Sequence, residues 1–147
     1  MTLEAPASAP PADEPAPPRT GLERLIKIAG VVVSVLAAVL SATLELFMTP
    51  LRIGGVLIGA AIVAAVAGNY AISWFAVTTV GRRWALAPPW AVWTVIMFLA
   101  AGTRTAEGDY LISGDDWIAL VTILAGSLTF AVYAYRAILR GPTVTKS

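Results

Sequence analysis

IAGVVVSVLAAVLSATLELFM, residues 28–48, is apolar throughout except for three hydroxyl residues and Glu45, and Thr49-Pro50 follows it. A helix over this run reaches about 31 Å at about 1.5 Å per residue, which matches a hydrocarbon core of about 30 Å. Pro50 lacks a backbone donor and biases Thr49 away from helix, so the span stops there. Upstream, Thr20 and Glu23 make a capping-box pattern that places Arg24 and Lys27 in the turns before the apolar run. Helix one is therefore expected over about residues 21–48.

Three more apolar runs follow. The second, about 53–80, is longer than a bilayer requires and would tilt or project into the headgroups before Gly81 closes it. The third, about 84–102, carries Pro88 and Pro89 near its start, where a missing amide donor costs least. Trp84 to Ala87 are expected to form an interfacial turn, with Trp84, Trp90 and Trp93 marking the boundary. The fourth, about 115–140, opens with Asp115 and Asp116 and closes with Arg136, Arg140, Gly141 and Pro142, in keeping with the helix dipole at both ends. The fold class is all-α: a polytopic membrane protein with four transmembrane helices in an antiparallel bundle.

Composition agrees. Hydrophobic residues make up 58% and charged residues 13%, against about 45–50% and about 25% in soluble domains. Residues 1–20 are rich in proline and alanine without apolar periodicity, and read as a disordered tail. Residues 141–147 form a second short tail. A chain of 147 residues has no room for a separate catalytic domain. It contains no cysteine and no histidine, so disulfides, thiol chemistry, histidine-ligated haem and the usual zinc sites are excluded. Asp115-Asp116 is explained by capping, and phosphate loops and nucleophile elbows are absent. No catalytic residue, metal site or cofactor is expected, and the protein is read as non-enzymatic.

Basic residues set the orientation. Arg19, Arg24, Lys27, Arg82, Arg83, Arg136, Arg140 and Lys146 fall on one side, and only Arg52 and Arg104 on the other. Both termini are thus expected in the cytoplasm, with the Thr49 to Arg52 turn and an acidic loop over 103–115 outside. The preponderance of arginine over lysine, with abundant alanine, valine and proline, suggests a GC-rich bacterium and its plasma membrane. The expected partners are the lipid bilayer and either a larger membrane-protein complex or further copies of this chain; no nucleic acid is implied.

Lipid offers no hydrophobic drive between helices, so close contact depends on small side chains. Helix one carries Gly30, Ser34, Ala38 and Ala42 at four-residue spacing, and helix two carries Gly55 and Gly59, then Ala60, Ala64 and Gly68. These ridges are expected to face one another across the Pro50 turn. Intramembrane polar residues are the places to look for function. Glu45, one turn from the outer end of helix one, is read as an interfacial ion pair with Arg52 that snorkels to water; a proton- or cation-responsive carboxylate is the alternative. Asn69 lies deeper in helix two, where its amide would bond Ser73, Thr94 or Thr129.

The order of features resembles an uncharacterised actinobacterial family of small four-helix membrane proteins. The likeness lies in helix one ending LELFMTP, helix two entered through LRIGG, the inner RRW and the outer EGDYLISGDDW, and it spans about residues 21–139. The resemblance implies the same four-helix membrane fold and no particular activity. The function expected is that of an accessory or scaffold subunit of a larger envelope or transport complex. A small oligomeric transporter or lipid flippase using Glu45, Arg52 and Asn69 is the alternative.

Overall fold

The computed structural model describes residues 20–53, 56–104 and 117–140. Over these the chain forms α1 (Thr20–Met48), a short antiparallel hairpin of β1 (Arg52–Ile53) and β2 (Val56–Leu57), α2 (Ala60–Val80), a 3₁₀ turn (Arg83–Leu86), α3 (Ala87–Gly102) and α4 (Trp117–Leu139). The expected leader, the acidic outer loop with Asp115 and Asp116, and the C-terminal tail lie outside the described residues. Four helical segments, Gly21–Met48, Ala60–Val80, Arg83–Gly102 and Trp117–Leu139, are each long and apolar enough to cross a membrane. The architecture among the described residues is that of an all-helical, multi-pass membrane protein.

Helix two does not begin at residue 53. Its expected first turns are a hairpin, in which Arg52 pairs with Leu57 and Ile53 with Val56, and Ile58 N–H donates to Leu51 C=O at 3.1 Å. The residues between the strands are Gly54-Gly55, a dipeptide that favours two-residue hairpin connections over helix. At 21 residues α2 therefore matches the bilayer without the excess tilt expected of a longer span. Gly81 ends it in the left-handed conformation, φ 69°, and its N–H donates to Val77 C=O at 2.9 Å. Pro88 and Pro89 then sit in the first turn of α3, where their missing donors break no helical bond.

The bundle is ordered α3, α1, α2, α4: α1 lies against α2 and α3, α2 lies also against α4, and α3 and α4 meet over a much shorter contact. The faces that α1 and α2 bury are mostly small or polar, and bulky buried side chains, Trp93, Met97, Ile118 and Phe130, come from α3 and α4. Ser34, Ala38, Ala42, Ala61, Ala65, Asn69, Ser73 and Ala76 are buried, while large side chains such as Leu40, Phe47, Leu99 and Leu124 point outward. That inversion suits a solvent of lipid chains, in which only close backbone approach rewards helix contact.

Gly30 lies in the α1–α2 seam, where a Cβ would come 2.7 Å from the Thr79 methyl. Helix two packs through two neighbouring rows. Ala61, Ala65 and Asn69 are fully buried and Ala60, Ala64 and Gly68 half-buried beside them, with Gly68 against α1, where a Cβ would come 2.7 Å from Ser41 Oγ. Gly59 is the N-cap of α2, and a Cβ there would meet Ile62 of its own helix at 3.3 Å rather than α1. Gly55 lies outside the described residues.

Candidate functional site

The small-residue ridge of α1 does not stop at Ala42. Three residues further on, the same face presents Glu45, and four beyond that Thr49, both buried. Glu45 is 0% exposed, which overturns the expectation that it snorkels to water. Its carboxyl is engaged at both oxygens: Ser41 Oγ donates to Oε1 at 2.6 Å, and Trp93 Nε1–H donates to Oε2 at 3.0 Å. Helical periodicity accounts for this, because residues three and four apart share a face, and the face that packs α1 into the bundle carries the acid inward. Arg52 sits in β1, and its side chain, with the expected ion pair, lies outside the described residues.

Trp93 is the second component and reverses a second expectation. Trp84 and Trp90 do stand at the periphery, about half exposed, but Trp93 is 0% exposed. It falls on the buried row of α3 with Pro89, Met97 and Ala100, so its indole crosses the interior toward α1. A buried indole N–H needs an acceptor, and Glu45 supplies it. The far edge of the ring rests on Gly126 of α4, where any Cβ would collide with it, and Phe130 flanks it at a ring separation of 6.2 Å.

Asn69 completes the cluster from α2. It is 0% exposed, and its Nδ2 would lie 2.8 Å from a Cβ at position 126, which places the amide beside the Trp93 ring. The partners expected for it do not engage it: Ser73 Oγ donates to the Asn69 backbone carbonyl at 2.6 Å, and Thr129 Oγ1 to Ala125 C=O at 2.8 Å. Among the described residues, Asn69 Nδ2, Asn69 Oδ1 and Thr94 Oγ1 are buried without a hydrogen-bond partner. Ser73 and Thr129 spend their protons on carbonyls one turn back, which leaves the amide unanswered.

Gly68 controls the remaining edge. A Cβ there would come 2.7 Å from Ser41 Oγ, so the glycine makes room for the hydroxyl that holds Glu45. All four helices thus contribute: Ser41 and Glu45 from α1, Gly68 and Asn69 from α2, Trp93 from α3, Gly126 from α4. Ser41 and Gly126 escaped the sequence reading, and Trp93 entered it only as an interface anchor. A lone glycine in the middle of the fourth apolar run was the available signal, since such a residue usually marks a close approach.

No family model matches the chain, and neither a curated protein nor a solved structure matches it. The chemistry open to the site is that of its own groups: one carboxyl held by two neutral donors, an amide with bonding capacity left, and an indole wall. Among the described residues no three acidic side chains gather as they would to hold a metal ion. The cluster can bind or release a proton, or hold a small polar guest.

Proposed function

We propose that the protein is a non-enzymatic, multi-pass subunit of a bacterial plasma membrane, an accessory or scaffold component of a larger envelope or transport complex. The observation that carries this reading is the enclosure of Glu45, whose two oxygens each receive a donor from inside the bundle. A carboxyl tied in this way fastens α3 to α1 and presents no face to a passing solute. What the molecule offers to others lies outside. Between α3 and α4 runs an apolar groove of about 570 Å³, with Leu86, Trp90, Leu128 and Phe130 among its lining and Ser127 and Ala131 one turn apart on its α4 wall. Small residues at that spacing admit the backbone of another helix. The basic residues gathered on one side support cytoplasmic termini, and the resemblance to small actinobacterial membrane proteins accords with that setting.

A second reading rests on a specific observation. The unanswered polar atoms of Asn69 and Thr94 are a cost that a purely structural core has no reason to retain. A small oligomeric transporter or lipid flippase working through Glu45, Arg52 and Asn69 would use them. Two measurements separate the readings: co-purification from native membranes in mild detergent, with partners identified by mass spectrometry, and the phenotype of Glu45→Gln in a deletion strain. An accessory subunit brings down a larger partner in fixed ratio and tolerates Glu45→Gln, because the glutamine carbonyl accepts from Trp93 while its amide donates to Ser41. A homo-oligomer without other partners, inactivated by Glu45→Gln at normal expression, assigns the protein to transport instead.

A further inference from the structure

Gly81 turns the chain sharply at the end of α2. Arg82 follows in extended conformation, φ −135° and ψ 139°, and the 3₁₀ turn then carries Trp84 back toward the opening turns of α1. Two adjoining cavities result. The first, about 300 Å³, is lined by Glu23, Arg24, Lys27, Val80, Arg82 and Trp84. The second, about 310 Å³, shares Arg24, Lys27 and Trp84 and continues along Ile28, Val31 and Val32. A basic pocket therefore adjoins an apolar groove on the outer face of α1, the two sharing Arg24, Lys27 and Trp84.

The charges within it are unequal. Glu23 pairs with Lys27 of its own helix at 3.7 Å, which leaves the guanidinium groups of Arg24 and Arg82 as the excess. A guanidinium presents paired donors that match a phosphate. Trp84, 55% exposed, stands where an indole settles at the headgroup level. Ile28 and Val32 beyond it are exposed and face lipid.

We propose that this paired cavity is a binding site for an anionic phospholipid. The phosphate lies between Arg24 and Arg82, Lys27 stands at the rim, and one acyl chain runs along Ile28, Val31 and Val32. The apolar groove decides for a lipid over a free phosphate, because an inorganic ion has no use for it. Basic pockets between helices at a membrane surface recognise lipid headgroups by the same physics.

The test uses the full chain purified in mild detergent and offered equal amounts of phosphatidylglycerol and phosphatidylcholine, with retained lipid read by native mass spectrometry. Each basic residue near an anionic headgroup contributes roughly fivefold, so phosphatidylglycerol should be retained at least about tenfold over phosphatidylcholine. Arg24→Gln with Arg82→Gln should bring that ratio close to one. Arg83→Gln with Arg136→Gln, which removes the same charge from the same end of the bundle but not from the pocket, should leave it unchanged. Unfolding temperature should rise with phosphatidylglycerol and not with inorganic phosphate. The proposal is overturned by equal retention of the two lipids, by a preference that survives Arg24→Gln with Arg82→Gln, by its equal loss in the control pair, or by the same stabilisation from inorganic phosphate.

Discussion

Gly126→Ala is the most direct probe of the bundle interior. In an open helix the change is favourable, since glycine costs about 0.8–1.0 kcal/mol relative to alanine. At position 126 the new methyl would run into the Trp93 ring and come within 2.8 Å of Asn69 Nδ2. Neither is the free end of a flexible side chain: the indole is held at Glu45 by its N–H, and the amide is enclosed. Overpacking of this kind costs about 1–3 kcal/mol, and the rigidity of both neighbours puts the cost in the upper half of that range. Subtracting the propensity gain leaves a net destabilisation of about 1–2 kcal/mol. The assay is reversible unfolding in mixed micelles on titration with a denaturing detergent, followed by tryptophan fluorescence. Gly102→Ala is the control, because a Cβ there would meet nothing within 4 Å, and it should be neutral or slightly stabilising. If Gly126→Ala were as stable as the control variant, Trp93 would not lie against α4 and the four-helix polar cluster would be wrong.

Gly68→Ala should cost about one hydrogen bond, roughly 0.5–1.5 kcal/mol before any propensity gain, because its methyl displaces Ser41 Oγ from Glu45. The loss should largely vanish in a Ser41→Ala background, as a double-mutant cycle would read. Trp93→Phe leaves Glu45 Oε2 without its donor and should destabilise by about 1–3 kcal/mol or more. Trp90→Phe, on the exposed face, should stay within about 0.5 kcal/mol of wild type in the same unfolding titration. For topology, single cysteines at Gly108 and Thr143 in a chain without native cysteine should report sidedness to an impermeant thiol reagent in intact cells. Labelling at 108 and not at 143 is expected, and the reverse or equal labelling of both would refute cytoplasmic termini.

The four spans were legible because long apolar runs bounded by proline, glycine and charge admit few other structures in lipid. The hairpin was not, because LRIGGVLI joins the apolar run of α2 without a polar break, and a short apolar segment reads alike as strand or helix. The Gly-Gly pair at 54–55 carried the turn signal that hydropathy concealed. Glu45 reads as interfacial when it is placed only by its distance from the helix end. Its spacing from Ala42 put it on the inward ridge all along, but a ridge read from small residues alone passes over an acid that continues it. Trp93 reads as an interface anchor because tryptophans near the end of a span usually are, and only the register of α3 against α1 and α4 separates it from Trp90.

The burial of Trp93 gives the molecule an optical handle of its own. Trp74, Trp84, Trp90 and Trp117 are all at least 45% exposed, and Trp93 alone of the five is sealed. A chain in which the other four are phenylalanine should emit from a single indole that neither aqueous iodide nor brominated lipid tails can quench. Any event that loosens the cluster, from partner docking to protonation of the carboxyl, would then appear as a change in the colour and lifetime of that one emitter, without an attached label.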